Sequence, residues 1–188
     1  MVYKLRSDRN NYLCAEISPD ELEQKLGEDH FFLLDEPTWV DFWVPMQVEF
    51  KDLSDNQNVT TPPDITCWFT DQLVLSEKAY NALKLDLEGH GEFLPLSCEG
   101  ITYWLFHVTS VVPDEAVDQE HSHRDVEEGG FIDVKQLSFN NQHMADYPVF
   151  KTHYNGLKNV FCTGEFLRSI ESEKLAGLLF HTDLASVL

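Results

Sequence analysis

The run Ile101–Val108 (ITYWLFHV) constrains the fold more than any other part of the chain. It is rich in β-branched and aromatic residues, which suit a pleated surface, and reads as a strand. No segment approaches the ~20 apolar residues of a membrane-spanning helix. Glu92–Leu96 is extended just before this run, and Gly89 and Gly91 end a helix just before that. Strands followed irregularly by helices, rather than a regular βαβ array, point to the α+β class. The expectation is one compact domain over residues 1–188, with mixed or antiparallel sheets and a few short helices.

Local signals place the remaining elements. Ser18-Pro19-Asp20-Glu21 offers an N-cap serine, proline at the first helical position and the glutamate of a capping box. Leu22 and Leu26 then share a helical face, and Gly27 supplies a C-cap. Ser76-Glu77 opens a second helix, with Ala79, Leu83 and Leu87 at helical spacing. Thr163 is placed to cap a third, running through Phe166 and Ile170. Strands are expected at Val2–Leu5, Phe31–Leu34, Ile65–Trp68, Phe131–Val134, Lys135–Phe139, Pro148–Lys151, Asn159–Cys162 and Gly177–Phe180. The stretch Trp39–Phe50 partly alternates, with Pro45 restricting it to an edge or bend.

Charge narrows the partners. With 13 basic and 33 acidic residues in 188, the chain carries a net −20. Its 43% hydrophobic content is too high for a disordered acidic chain. Nucleic-acid and anionic-membrane binding need basic clusters, and none here exceeds two residues. An anionic surface favours a basic partner instead, and speeds its capture by roughly 10–1000-fold. Solubility alone is the competing explanation. Met1–Arg6 lacks the apolar core of a signal peptide. Cys14, Cys67, Cys98 and Cys162 form no CxxC pair, so free thiols in a reducing cytoplasm are expected, with no structural zinc.

Catalytic motifs are sparse. There is no GxSxG, Walker loop, GxGxxG or HExxH pattern. Two features support an alternative reading as a small metal- or thiol-dependent enzyme. His121 and His123 would point to one side of an extended chain, with Asp118 or Asp125 to complete a site, although they lie in a charged loop. Cys162 precedes a helix N-terminus, with His153 and His181 as possible bases, yet it ends the apolar run Val160-Phe161-Cys162 expected of an inert core thiol. No metal or cofactor is expected.

Two segments suit a protein partner. Residues 113–130 read as an acidic loop bearing Asp114, Glu115, Asp118, Glu120, Asp125, Glu127 and Glu128, opposed only by Arg124. If 39–43 is a strand, Trp39 and Trp43 share the face of Asp41, an exposed aromatic–acidic surface. The alternative is that both indoles pack beneath a neighbouring layer.

Several short motifs, in order, resemble the bacterial immunity protein 11 family. Pro63-Asp64-Ile65 and Leu75-Ser76-Glu77-Lys78 match its Pro-Asp strand start and Ser-Glu helix. Glu92-Phe93-Leu94-Pro95 before Gly100-Ile101-Thr102-Tyr103-Trp104-Leu105 matches its acid-Leu-Pro segment and Tyr-rich strand. Val149-Phe150-Lys151, Val160–Phe166 and Gly177-Leu178-Leu179-Phe180 resemble its apolar-Phe-basic strand, its strand-to-capped-helix step and its closing Gly-x-x-Phe. The resemblance spans about residues 60–182, with Thr163 for serine, Lys151 for arginine, and an acidic insert at 113–128 that has no counterpart. It implies a cytoplasmic antidote, not an enzyme, that binds and neutralises a cognate toxin domain of a polymorphic toxin system used in interbacterial competition. It identifies neither the toxin's activity nor the oligomeric state.

Overall fold

The computed structural model describes residues 1–126, 130 and 132–185, the side chains of Phe31 and Phe32 apart. In chain order the strands are β1 Val2–Ser7, β2 Cys14–Glu16, β3 Met46–Gln47, β4 Glu49–Lys51, β5 Ile65–Trp68, β6 Gln72–Ser76 and β7 Gly91–Cys98. They continue with β8 Ile101–Val108, β9 His123–Val126, β10 Ile132–Gln136, β11 Val149–Phe150, β12 Phe161–Thr163 and β13 Leu178–His181. The α-helices are α1 Pro19–Leu26, α2 His30–Leu34, α3 Glu77–Leu87 and α4 Gly164–Ser172. The fold is α+β.

Two sheets carry the architecture. The larger is mixed, in the order β3-β7-β8-β6-β5, with only β3–β7 parallel. Ile101–Val108 lies inside it, paired along its whole length with β7 and over most of it with β6. The smaller has the order β11-β12-β1-β13, so the first strand is clasped by the last two. Ribbons β2–β4 and β9–β10 complete the pairing.

β5, β6, β11 and β12 are covered on both faces, which explains why they are nearly all apolar rather than alternating. Between the two sheets, Leu73, Leu75 and Phe106 pack with Leu5, Val149 and Cys162, together with α3 and α4. On the far face of the larger sheet, Val74, Leu94 and Leu105 meet Leu22, Trp39 and Trp43. On the far face of the smaller, Phe150 and Phe161 meet Ala116, Val117 and Phe139.

Helix starts are set partly by local chemistry. Ser18 Oγ accepts from the Glu21 amide at 3.1 Å, and Ser76 Oγ from the Ala79 amide at 3.2 Å. The Glu21 carboxylate does not close the capping box but accepts from the Gln47 amide at 2.9 Å, tying α1 to β3. Thr163 occupies the N-cap of α4 without a side-chain capping bond.

Other expectations are corrected. Residues 31–34, expected as a strand, belong to helix α2. Residues 39–43 form a turn, closed by the Trp43 amide donating to the Trp39 carbonyl at 2.8 Å. The two short strands expected between 131 and 139 are the single strand β10; Phe131 lies outside the described residues. β2 and β6 were not anticipated.

The motifs behind the family resemblance converge in space. The Asp64 carboxylate accepts from the Ala176 amide at 3.1 Å and from Lys78 Nζ at 3.0 Å, and its carbonyl accepts from the Ser76 amide at 2.8 Å. Lys78 also donates to the Lys174 carbonyl at 3.0 Å. One aspartate thus joins the β5 start, the α3 start and the turn before β13. Asp64→Ala leaves the Ala176 amide without its acceptor and should cost about 1–3 kcal/mol. Chemical denaturation against wild type checks this; an unchanged midpoint would show that the junction holds without the carboxylate.

Candidate functional site

The acidic segment is built into the body rather than left as a loop. Asp114–Ala116 is a 3-10 turn whose Ala116 and the following Val117 are buried against the smaller sheet. Val117 bridges Phe139, and β9 pairs with β10. Arg124 fastens this arm: its guanidinium donates to the Tyr154 carbonyl at 2.6 Å and lies 4.3 Å from the Tyr154 ring centre.

From this frame Asp114, Glu115, Glu120 and Asp125 project into solvent. Asp118 is partly covered and holds the local turn. It accepts from the amides of Glu120 and His121 at 3.1 and 3.3 Å and pairs with His121 Nδ1 at 2.9 Å. These bonds, the His121 side chain first, hold its carboxyl below the usual carboxylate range. Glu127 and Glu128 lie outside the described residues.

The expected aromatic–acidic face does not form. Trp39 and Trp43 are 3% and 9% exposed, and only Asp41 is exposed. The reason is the Glu92–Pro95 motif. The Glu92 carboxylate accepts from the Trp39 amide at 2.6 Å, and the Pro95 carbonyl from Trp43 Nε1 at 3.1 Å. Both indoles are thereby drawn onto the larger sheet. Neither can anchor a partner in this arrangement.

The enzyme-type groups are arranged for other purposes. His121 and His123 are exposed and face Asp118 and Asp125 separately, the second pair at 3.6 Å. Among the described residues no three His, Cys, Asp or Glu side chains are grouped to hold a metal. The Cys162 thiol is fully buried, and burial raises its pKa above the ordinary range, as it does for Cys67, pushed up to about 12. A thiol so held does not supply a thiolate nucleophile.

A cleft of about 470 Å³ with a mixed polar and apolar lining lies beside the Trp39 turn, and Asp71, Gln72, His107 and Lys151 form part of its wall. Lys151 Nζ donates to the Asp71 carboxylate at 3.2 Å, and Gln72 Nε2 donates to the same carboxylate at 2.9 Å. Gln72 Oε1 accepts from the Val108 amide at 3.1 Å and faces His107 Nδ1 at 3.1 Å. His107 Nε2 faces the Pro37 carbonyl at 3.2 Å, and its ring stacks on Trp39 at 3.9 Å. Burial, then the Lys151 charge, lower the imidazole to about 4, against the pull of the Pro37 carbonyl. Burial also lowers Lys151, despite Asp71. This chain of bonds links the two sheets. Sequence reasoning missed it: its members are scattered over 80 positions, and the available signals were a lysine and a histidine inside apolar strands.

The profile of the immunity protein family (Imm11) matches residues 44–183. The match covers most of the chain and reaches further towards the N-terminus than the motifs alone. The chain belongs to that family. A search of curated proteins finds no match. Among the described residues no helix is long and apolar enough to cross a membrane.

Proposed function

We propose that this protein is the antidote of a toxin pair: in the cytoplasm of the producing cell it binds and neutralises a cognate toxin domain, without catalysing a reaction. Family membership over residues 44–183 carries this reading. The anchored acidic arm supports it further, because exposed carboxylates on a supported segment of a chain of net −20 suit a basic partner. Fixing the arm beforehand reduces the ordering that binding would otherwise require.

The test begins with co-purification from a lysate carrying the neighbouring genes. A toxin domain bound at one-to-one stoichiometry is the expected result; recovery of the chain alone overturns the reading. Charge reversal at Asp114, Glu115, Glu120 and Asp125 should then slow association by about 10-fold or more at low salt and flatten its salt dependence. Asp118 is left intact because its carboxylate holds the turn. Unaltered association kinetics would remove the arm from the encounter surface.

A further inference from the structure

The hairpin between β5 and β6 turns through Phe69, Thr70 and Asp71. Phe69 has φ 53°, a left-handed conformation in which a bulky side chain is an outlier. The residue is also 69% exposed. The ring rests on that of Trp68, with centroids 4.6 Å apart, yet most of the residue faces solvent and asparagine adopts this backbone more readily. The surroundings hold the strained turn in place. The Thr70 carbonyl accepts from the Val160 amide at 3.0 Å, and its hydroxyl donates to the Lys158 carbonyl at 2.5 Å. Strain maintained in this way, on an exposed aromatic, points to a role outside folding.

A cleft of about 380 Å³ opens beside Phe69, lined also by Leu179, Arg6, Arg9 and Asp8. Leu179 is 41% exposed. The lining carries two arginines against one aspartate, in a chain of net −20. Arg9 forms an exposed ion pair with Asp55 at 3.4 Å, which a stronger partner can replace. With Asp8 and Asp55 the two arginines are balanced rather than outnumbered by carboxylates, and an aromatic beside arginines is closer to the composition of an interface centre than to this protein's general surface.

We infer that Phe69 and this cleft are the anchor of the toxin-binding surface. An apolar side chain of the toxin domain seats between Phe69 and Leu179, and a neighbouring toxin carboxylate meets Arg9. The inference rests on the proposed function and divides the labour within it. The acidic arm governs encounter, and the Phe69 cleft governs residence.

The experiment compares Phe69→Asn, Arg9→Glu and, as a control, Leu85→Asn on the solvent face of α3, using the full chain and the toxin domain that co-purifies with it. Phe69→Asn should leave the Tm of the free protein within about 2–4 °C of wild type, relief of strain offsetting the lost ring contact with Trp68, while accelerating dissociation by about 30-fold or more. Arg9→Glu should also accelerate dissociation, and Leu85→Asn should leave it unchanged. Wild-type dissociation rates for Phe69→Asn and Arg9→Glu overturn the anchor while leaving the antidote reading standing. A wild-type chain that captures no toxin domain overturns both. A Tm lowered by much more than about 4 °C for Phe69→Asn shows that the turn needs the ring for folding and overturns the anchor on that ground.

Discussion

Gly177→Ala is expected to lower the Tm by about 10 °C, with a loss of about 2–5 kcal/mol from overpacking and backbone strain together. Gly177 has φ 118°, and a Cβ there would lie 2.3 Å from the Ile65 carbonyl oxygen and 2.4 Å from Pro63 Cβ. Neither neighbour is the far end of a flexible side chain. The Gly177 carbonyl also accepts from the Asp8 amide at 2.9 Å, so the residue cannot simply swing away. Gly100→Ala is the control, since φ is 82° but nothing lies within 4 Å of the added carbon. It should lose only about 2–4 °C, the effect of roughly 1 kcal/mol of strain. Equal losses in the two variants, measured by thermal unfolding, would show that close packing at Gly177 is not the cause.

Acid should weaken the fold through His107. The folded imidazole is held at about 4 by burial and by Lys151, against 6.5 for a free histidine. The folded state therefore binds this proton less tightly than the unfolded chain. Stability is complete above about pH 6.5 and declines as the pH falls towards 4. By pH 4.5 the loss from this one group should be about 2–3 kcal/mol. His107→Gln keeps a neutral polar side chain near the Pro37 carbonyl and removes the titration. Urea midpoints at pH 7.5 and 4.5 should therefore separate less in the variant than in wild type. Identical separation would mean that the ring is not held neutral. Asp118 titrates too, but its lowered pKa is common to both proteins, so the comparison isolates His107.

Several parts of the fold were legible locally. Ser18 and Ser76 cap their helices through bonds three residues long, and Ile101–Val108 carries its strand preference in its own side chains. Thr163 shows where local reading stops. Its hydroxyl makes no capping bond, and the first amide of α4, that of Gly164, donates to the Met1 carbonyl at 2.9 Å, a contact from across the chain. β6 was missed because it runs directly into α3, with Ser76 serving as both the last strand residue and the helix cap.

The site was less legible than the fold. The acidic residues were visible as a composition, but their support by Ala116, Val117 and Arg124 was not, and that support distinguishes an ordered arm from a solvated loop. Trp39 and Trp43 invited an exposed reading because a period of two cannot say whether a second layer lies above. The deciding groups, Glu92 and the Pro95 carbonyl, sit more than 50 positions away.

By itself the sequence determined the α+β class, the serine-capped helices, the apolar strands and the family. These follow from backbone preference, side-chain shape and motifs in order, all of which act over a few residues or survive as a linear pattern. Only the tertiary structure decided that β5, β6, β11 and β12 are buried on both faces, that Asp64 and Gly177 form one junction, that His107 and Lys151 are desolvated, and that Phe69 is held strained in solvent. Each of these depends on which distant segment removes water from a given side chain, a property of the assembled layers that no local stretch of chain contains.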